Sequence, residues 1–211
     1  MDKSSARRLQ TINQIYKALI RLISKNDFKQ ISIKMISKEA GVARGTFYHY
    51  FVDKYSLLDQ LENILIDRVI QIFDEDPQKT TISFSNSPHS GAFYKMLEYL
   101  YQERETILIL FDCDQSVLVQ KIHNLIVKNI LGDSCFEPVH TPAEHDVISY
   151  ALAQELLAQN ILSILKFWLT QPDVASPEIA YTIFLKSRTL SPIDLANIFN
   201  INLNVESTKI E

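Results

Sequence analysis

Arg44, Thr46, Tyr48, His49 and Tyr50 crowd into a single run of the chain, RGTFYHY. A guanidinium, a hydroxyl, two phenols and an imidazole make a dense set of polar tips with flat apolar faces beside them. That mixture suits nucleic acid. An arginine fork meets O6 and N7 of guanine, a contact worth ~1–3 kcal/mol of discrimination, and hydroxyls meet phosphates, which position a protein without reading sequence. The patterns of enzyme chemistry are not found in the sequence: there is no Gly-rich phosphate loop and no Ser/His/Asp ordering. His49 lacks a second metal ligand at useful spacing, His123, His140 and His145 form no ligand set, and Asp112 and Asp114 have no partner base or nucleophile. No catalytic residue, metal or cofactor is therefore expected, and an enzyme carrying an accessory DNA-binding domain is the remote alternative.

Each residue has its own expected role beside a blander one. Arg44 is the choice for base readout, with a phosphate contact as its alternative. Thr46 and Tyr48 suit phosphates, although packing of the Tyr48 ring is a rival. Gly45 allows close approach of the backbone, and His49 and Tyr50 reach phosphate or a thymine methyl. Ser32 with its neighbouring amides, Lys34 and Lys54 suit phosphates as well, while any one surface lysine is as readily just solvated. The group is better supported than its members. Residues 1–55 hold eleven basic side chains against four acidic ones, a local charge of +7, and the rest of the chain carries −11, although the whole is only −4. Such asymmetry is the footprint of a DNA-binding segment joined to one that avoids DNA, and its binding would weaken steeply with salt.

Helices must position these groups. From Ser4 to Lys25, Leu9, Ile12, Ile15, Tyr16, Leu19, Ile20 and Ile23 recur at three and four, the period of an amphipathic helix. Ser32 is placed to cap a short helix through Ala40. Gly41 sits where the chain turns sharply, a place that favours a left-handed backbone. A second short helix, about Ala43 to Tyr50, buries Phe47 and Phe51 and turns the polar residues outward or to the rim. Two helices about a Gly-containing turn are a helix-turn-helix unit. Asp53 then caps a connector helix to about Glu75 with Leu57, Leu58, Leu61, Ile64, Leu65, Val69, Ile72 and Phe73 as its stripe.

The segment from about Thr11 to Leu65 resembles the DNA-binding domain of the TetR family of bacterial transcriptional regulators. The likeness rests on Ile33 to Ser37, Glu39-Ala40-Gly41-Val42, the run Gly45 to Phe51, Lys54 and Leu57-Leu58. Ser37 departs from the alanine usual in that family. The run Asn160 to Leu169 is similar to a subgroup that includes the activator of dihydroxyacetone kinase genes, with Asn160 where that subgroup often has glycine. The resemblance implies a homodimer built through the last two long helices, a double-stranded DNA operator read by the third helix, and an effector site that moves the connector.

The expected fold is all-α, with about nine helices: a three-helix helix-turn-helix domain at 1–55, the connector at 53–75, and a helical effector-binding and dimerisation domain at 56–190. Gln78 to Gly91 reads as a loop. Helices are expected at Ala92–Glu103, Thr106–Phe111 and Ser116–Leu131, the last closed by Gly132. A capped start at Thr141-Pro142-Ala143-Glu144 leads into a helix reaching Leu169, and Ser176-Pro177-Glu178 opens another to about Lys186. These last two are apolar on more than one face and call for a covering surface, which a symmetric partner would supply. Ile201, Leu203 and Val205 alternate as a strand would, but the tail 191–211 has no assigned role. Phe93, Tyr94, Phe111, Tyr150, Phe167 and Trp168, with Tyr99 and Tyr101, are candidates to line a pocket for an apolar or aromatic effector, with core packing as the alternative for each. Cys113 and Cys135 form no CxxC, and no apolar run approaches the ~18–20 residues of a membrane span. A soluble, cytoplasmic, ligand-responsive dimeric repressor on a pseudo-palindromic operator is the function expected. An activator controlled by a protein co-regulator is the alternative.

Overall fold

In the first helix, α1 (Lys3–Ile23), the side chains of Ile15, Tyr16, Ala18 and Leu19 are buried, as their spacing requires. This is a computed structural model that describes residues 3–75, 91–130 and 150–187. After α1, Asp27 accepts a bond from the Lys29 amide at 3.0 Å and starts a single 3-10 turn, Phe28–Gln30, whose Phe28 docks in the core with Ile31. Ser32 Oγ accepts from the Met35 amide at 3.2 Å and caps α2 (Ile33–Ala40). Gly41 closes α2 in the left-handed region, at φ 68° and ψ 30°. Its amide donates to Lys38 O, and the Val42 amide donates to Ser37 O. A side chain here would be strained, so glycine makes the tight turn cheap. α3 (Arg44–Tyr50) follows, then α4 (Lys54–Asp74), capped by Asp53 Oδ1, which accepts from the Ser56 amide at 2.7 Å.

α4 packs on α1 and also on α5 and α7, so one rod belongs to both halves of the structure. The second half contains α5 (Ala92–Gln102), α6 (Arg104–Phe111), α7 (Leu118–Leu125) running into a π turn at Ile126–Ile130, α8 (Tyr150–Thr170) and α9 (Pro177–Ser187). The described residues hold nine α-helices and no strand, an all-α fold with a helix-turn-helix at its N-terminal end.

Two boundaries differ from expectation for identifiable reasons. α6 starts at Arg104 rather than Thr106, directly after α5. Arg104 donates through Nε to Leu169 O at 2.8 Å and through Nη2 to Gln171 O at 2.7 Å, satisfying carbonyls at the end of α8. α7 starts at Leu118 rather than Ser116 because Ser116 Oγ and the Val117 amide are both held by Glu62 Oε1, at 2.7 and 3.0 Å. The expected features at Gln78–Ser90, Gly132, Thr141–Glu144 and the tail 191–211 lie outside the described residues.

Two positions of the apolar stripes are exposed. Leu9 is 49% exposed, on a part of α1 preceding the first buried position, and Ile64 is 47% exposed because it lines an open cleft between α1 and α5. α8 and α9 do show apolar side chains on two faces. Ala158, Ile161, Leu165 and Trp168 of α8 and Ala180, Tyr181 and Phe184 of α9 are buried, while Leu152, Leu156, Phe167, Ile179 and Ile183 remain exposed.

Candidate nucleic-acid interface

Phe47 and Phe51 decide which way α3 faces. Both rings are buried, with centroids 5.6 Å apart, and Phe51 meets Tyr16 of α1 edge-on at 5.6 Å. On a helix of 3.6 residues per turn, anchoring this side turns Arg44, Gly45, Tyr48 and His49 to solvent. Thr46 and Tyr50 stand half-buried at the rim. Arg44 Nη2 donates to Tyr48 Oη at 3.2 Å, and the guanidinium carbon lies 5.6 Å from that ring's centroid. The pair, four residues apart, fixes the direction of the arginine while leaving other donors of its fork free. His49 and Tyr50 have ring centroids 4.8 Å apart. A Cβ added at Gly45 would meet nothing within 4 Å, so no demand of the surrounding fold requires glycine there.

The three expected phosphate contacts outside α3 fare differently. Ser32 is exposed at the start of α2 with its hydroxyl already committed to the cap, and Lys34 is exposed beside it. Lys54 is a correction. Its ammonium donates to Phe28 O at 2.7 Å, Lys29 O at 3.1 Å and Ile31 O at 2.9 Å, and sits 4.7 Å from the Phe28 ring centroid. An ammonium has three protons, and all three serve the 3-10 turn, so Lys54 is a structural clamp with no donor left for phosphate. Two further cations of the basic segment are engaged internally: Arg21 with Glu39 at 2.7 Å, and Lys29 with Asp114 at 3.0 Å.

The aromatic residues proposed for an effector pocket do not gather round one cavity, although Phe167 and Trp168 share a small one of about 90 Å³ beside Leu97 and Phe184. Phe93 packs on Phe184 and Tyr181, with centroids 4.1 and 6.1 Å apart, and Tyr94 Oη donates to Glu178 Oε1 at 2.7 Å, so both fasten α5 to α9. Trp168 is buried with Nε1 donating to Ala175 O at 2.8 Å, whereas Phe167 is 68% exposed on the outer side of α8. The Tyr150 side chain lies outside the described residues. Tyr99 faces the cleft beside α1, its phenol pushed up to about 12 by burial and by Glu103. Tyr101 stacks at 6.3 Å on Trp168. Among those of the six whose side chains are described, only Phe111 lines the internal seam between α4, α5, α7 and α8, with Leu65, Val69, Met96, Leu118 and Leu162. The cavity there is about 30 Å³ and apolar, against ~300–1,000 Å³ for a typical ligand pocket. These helices have closed on their own side chains.

The polar centre that sequence reasoning missed is Glu62, 1% exposed on α4. Besides Ser116 and Val117, its carboxylate meets Lys121 Nζ at 3.0 Å, and Lys121 also reaches Asp59 Oδ1 at 2.6 Å and Asn63 Oδ1 at 2.8 Å. The hydrogen bond from Lys121 holds the Asp59 carboxyl below its ordinary value. A signal was present: Glu62 falls in register with Leu58, Leu65 and Val69, so a carboxylate interrupts an apolar stripe. Burial, more than the adjacent carboxylates, pushes the Cys113 thiol up. Cys135 lies outside the described residues.

A seven-residue helix, set by a left-handed glycine turn and presenting an arginine–tyrosine pair outside a basic three-helix unit, defines a helix-turn-helix DNA-binding protein. Residues 15–61 match the family described as bacterial regulatory proteins, tetR family, so the N-terminal domain is of the type that this family carries. It is 24% identical over 169 residues to an uncharacterized HTH-type transcriptional regulator, YxbF of Bacillus subtilis, a match covering 78% of this chain and 41% of that protein. The chain spans less than half the length of the first curated relatives it matches. The fold is shared with a TetR transcriptional regulator from Streptococcus agalactiae, at a TM-score of 0.61 and 21% identity, over 87% of this chain and 96% of that one. It is also shared with the dihydroxyacetone kinase operon activator DhaS, at 0.52 and 21%, over 91% and 98%.

Proposed function

We propose that the chain is a transcriptional regulator that binds a pseudo-palindromic operator as a homodimer and represses until an effector shifts α4. The observation that carries this reading is the exposed Arg44–Tyr48 pair on α3, anchored through Phe47 and Phe51 to the unit from which α4 leaves. Dimerisation is supported by the exposed apolar side chains of α8 and α9, from Leu152 and Leu156 to Phe167, Ile179 and Ile183. Two recognition helices related by a two-fold axis would read half-sites about one helical turn of DNA apart. A dimer seated in this way obstructs a promoter, which is the physical ground for repression.

Arg44, Gly45, Tyr48 and His49 are the proposed readers of the groove, with Thr46 and Tyr50 at its edge and Ser32 and Lys34 as supports. Duplexes selected from a random pool and random duplexes separate these roles. Arg44→Ala is expected to lose ~1–3 kcal/mol of preference for the selected sequence. An equal loss on both duplexes would remove its base-reading role, and failure of the pool to enrich any sequence would remove the operator.

A second reading, control by a protein co-regulator, is favoured by one observation. The α4–α5–α7–α8 seam encloses only about 30 Å³, too little for a small effector without opening of the helices. The fold-level likeness to the activator DhaS is compatible with it. Promoter transcription with the purified chain, with and without metabolite and protein fractions, separates the two readings.

A further inference from the structure

Cations of the basic segment divide into those engaged by the fold and those left free. Arg21, Lys29 and Lys54 are engaged by Glu39, Asp114 and three carbonyls. Arg8 is different. It is exposed near the start of α1, and among the described residues no carboxylate stands within ion-pair distance of it. Its guanidinium carbon instead lies 6.0 Å from the centroid of Tyr50, at the C-terminal end of α3. A ring interaction at this outer limit of range biases the direction of the side chain without consuming its N–H groups.

Arg44 stands over Tyr48 at the opposite end of the same helix, so two arginines, each laid on a tyrosine, bracket α3. Seven helical residues rise about 10 Å, comparable with the ~12 Å width of the major groove. A cation at each end of a helix lying in that groove falls near the sugar–phosphate walls. Residues before the helix-turn-helix therefore reach the face that α3 presents.

We infer that Arg8 binds DNA from outside the helix-turn-helix, meeting a backbone phosphate at the edge of the groove that α3 enters, with Tyr50 as the surface that steadies its guanidinium. This rests on α3 being the recognition helix.

The test uses the full chain and measures affinity for a selected duplex and a random duplex between 50 and 200 mM salt. Arg8→Ala is expected to weaken binding to both duplexes alike and to reduce the log–log salt slope by about 0.9 for each phosphate no longer neutralised. The advantage of the wild type then shrinks about threefold per phosphate across that range. Arg8→Lys, which keeps the charge, should keep the slope, and Arg8→Gln repeats the neutralisation with a longer side chain should the alanine variant melt early. Unchanged affinity and slope in Arg8→Ala and Arg8→Gln would overturn the assignment while DNA binding by the wild type stands. Weakening confined to the selected duplex would overturn it too, by making Arg8 a reader of bases. A wild-type chain that binds no duplex would overturn the recognition-helix reading and this inference with it.

Discussion

Lys121 Nζ lies 3.0 Å from Oε2 of Glu62, and so an α7 ammonium neutralises a carboxylate that α4 has carried into the core. The same carboxylate accepts from Ser116 Oγ and the Val117 amide. Any displacement of α7 relative to α4 must break charge-assisted bonds in a dry setting, where an unpaired charge is costly. α4 begins at Lys54, three residues beyond Phe51, which anchors α3. Movement felt at Glu62 thus has a short path to α3.

Lys121→Met should destabilise the chain by ~3 kcal/mol, since it leaves the Glu62 charge buried without its cation. The double variant Glu62→Leu with Lys121→Met should recover most of that loss. Urea unfolding midpoints check both. A single variant within ~0.5 kcal/mol of wild type would mean that the pair contributes nothing once Ser116 and Val117 are in place.

Ser37 is 5% exposed, and its Oγ has no hydrogen-bond partner in the helix-turn-helix core. A buried hydroxyl left unsatisfied costs ~1–3 kcal/mol. Ser37→Ala is therefore expected to raise stability by ~1 kcal/mol and leave DNA affinity unchanged. A lower melting temperature would refute the claim that the hydroxyl is unsatisfied.

Lys54 and Arg44 should separate cleanly by mutation. Lys54→Met removes donors to three carbonyls and is expected to lower the stability of the N-terminal unit by ~2 kcal/mol, reducing binding to all DNA through unfolding. Lys54→Arg should not restore it, because a planar fork does not converge on three acceptors as an ammonium does. Should Lys54→Met melt like wild type and lose only salt-dependent affinity, the residue is a phosphate ligand after all.

Two ionisations set opposite ends of a pH profile. The Lys121 hydrogen bond depresses the Asp59 carboxyl. A depressed acid contributes stability above its ordinary value of 3.8, and that contribution is lost as pH falls below it. Asp59→Asn should flatten the acid limb of the unfolding midpoint. Tyr94, hydrogen-bonded to Glu178, is pushed up to about 12 from 10.0. Its contribution is fully present below pH 10.0 and is lost as pH rises through about 12. Tyr94→Phe should be less stable than wild type at neutral pH, with the difference closing along the alkaline limb. A constant difference from neutral to strongly alkaline pH would break the assignment.

Much of the N-terminal half was legible because its signals are local. Ser32 and Asp53 cap helices with their own neighbours' amides, Gly41 turns left-handed, and Phe47 with Phe51 buries at a four-residue spacing. Each depends on residues within a turn or two, which periodicity and capping rules describe. The second half was legible as helices but not as a site. Phe93, Tyr94, Phe111, Phe167 and Trp168 differ little in type, and only packing sends Phe93 against α9, Phe111 into the seam and Phe167 outward.

Charge, turn chemistry and helical spacing are properties of the chain, and from them alone residues 1–55 read as a basic, glycine-turned pair of helices with an arginine and tyrosines on the second. Which cations stay free depends on packing between distant helices. Lys54 is drawn on to carbonyls 23 to 26 residues away, Arg21 on to Glu39, and Lys29 on to Asp114, while Arg8 and Arg44 are left on the surface beside rings of α3. A lysine's proton goes to whichever acceptor folding brings within ~3 Å, and that distance is set by packing between helices far apart in the chain.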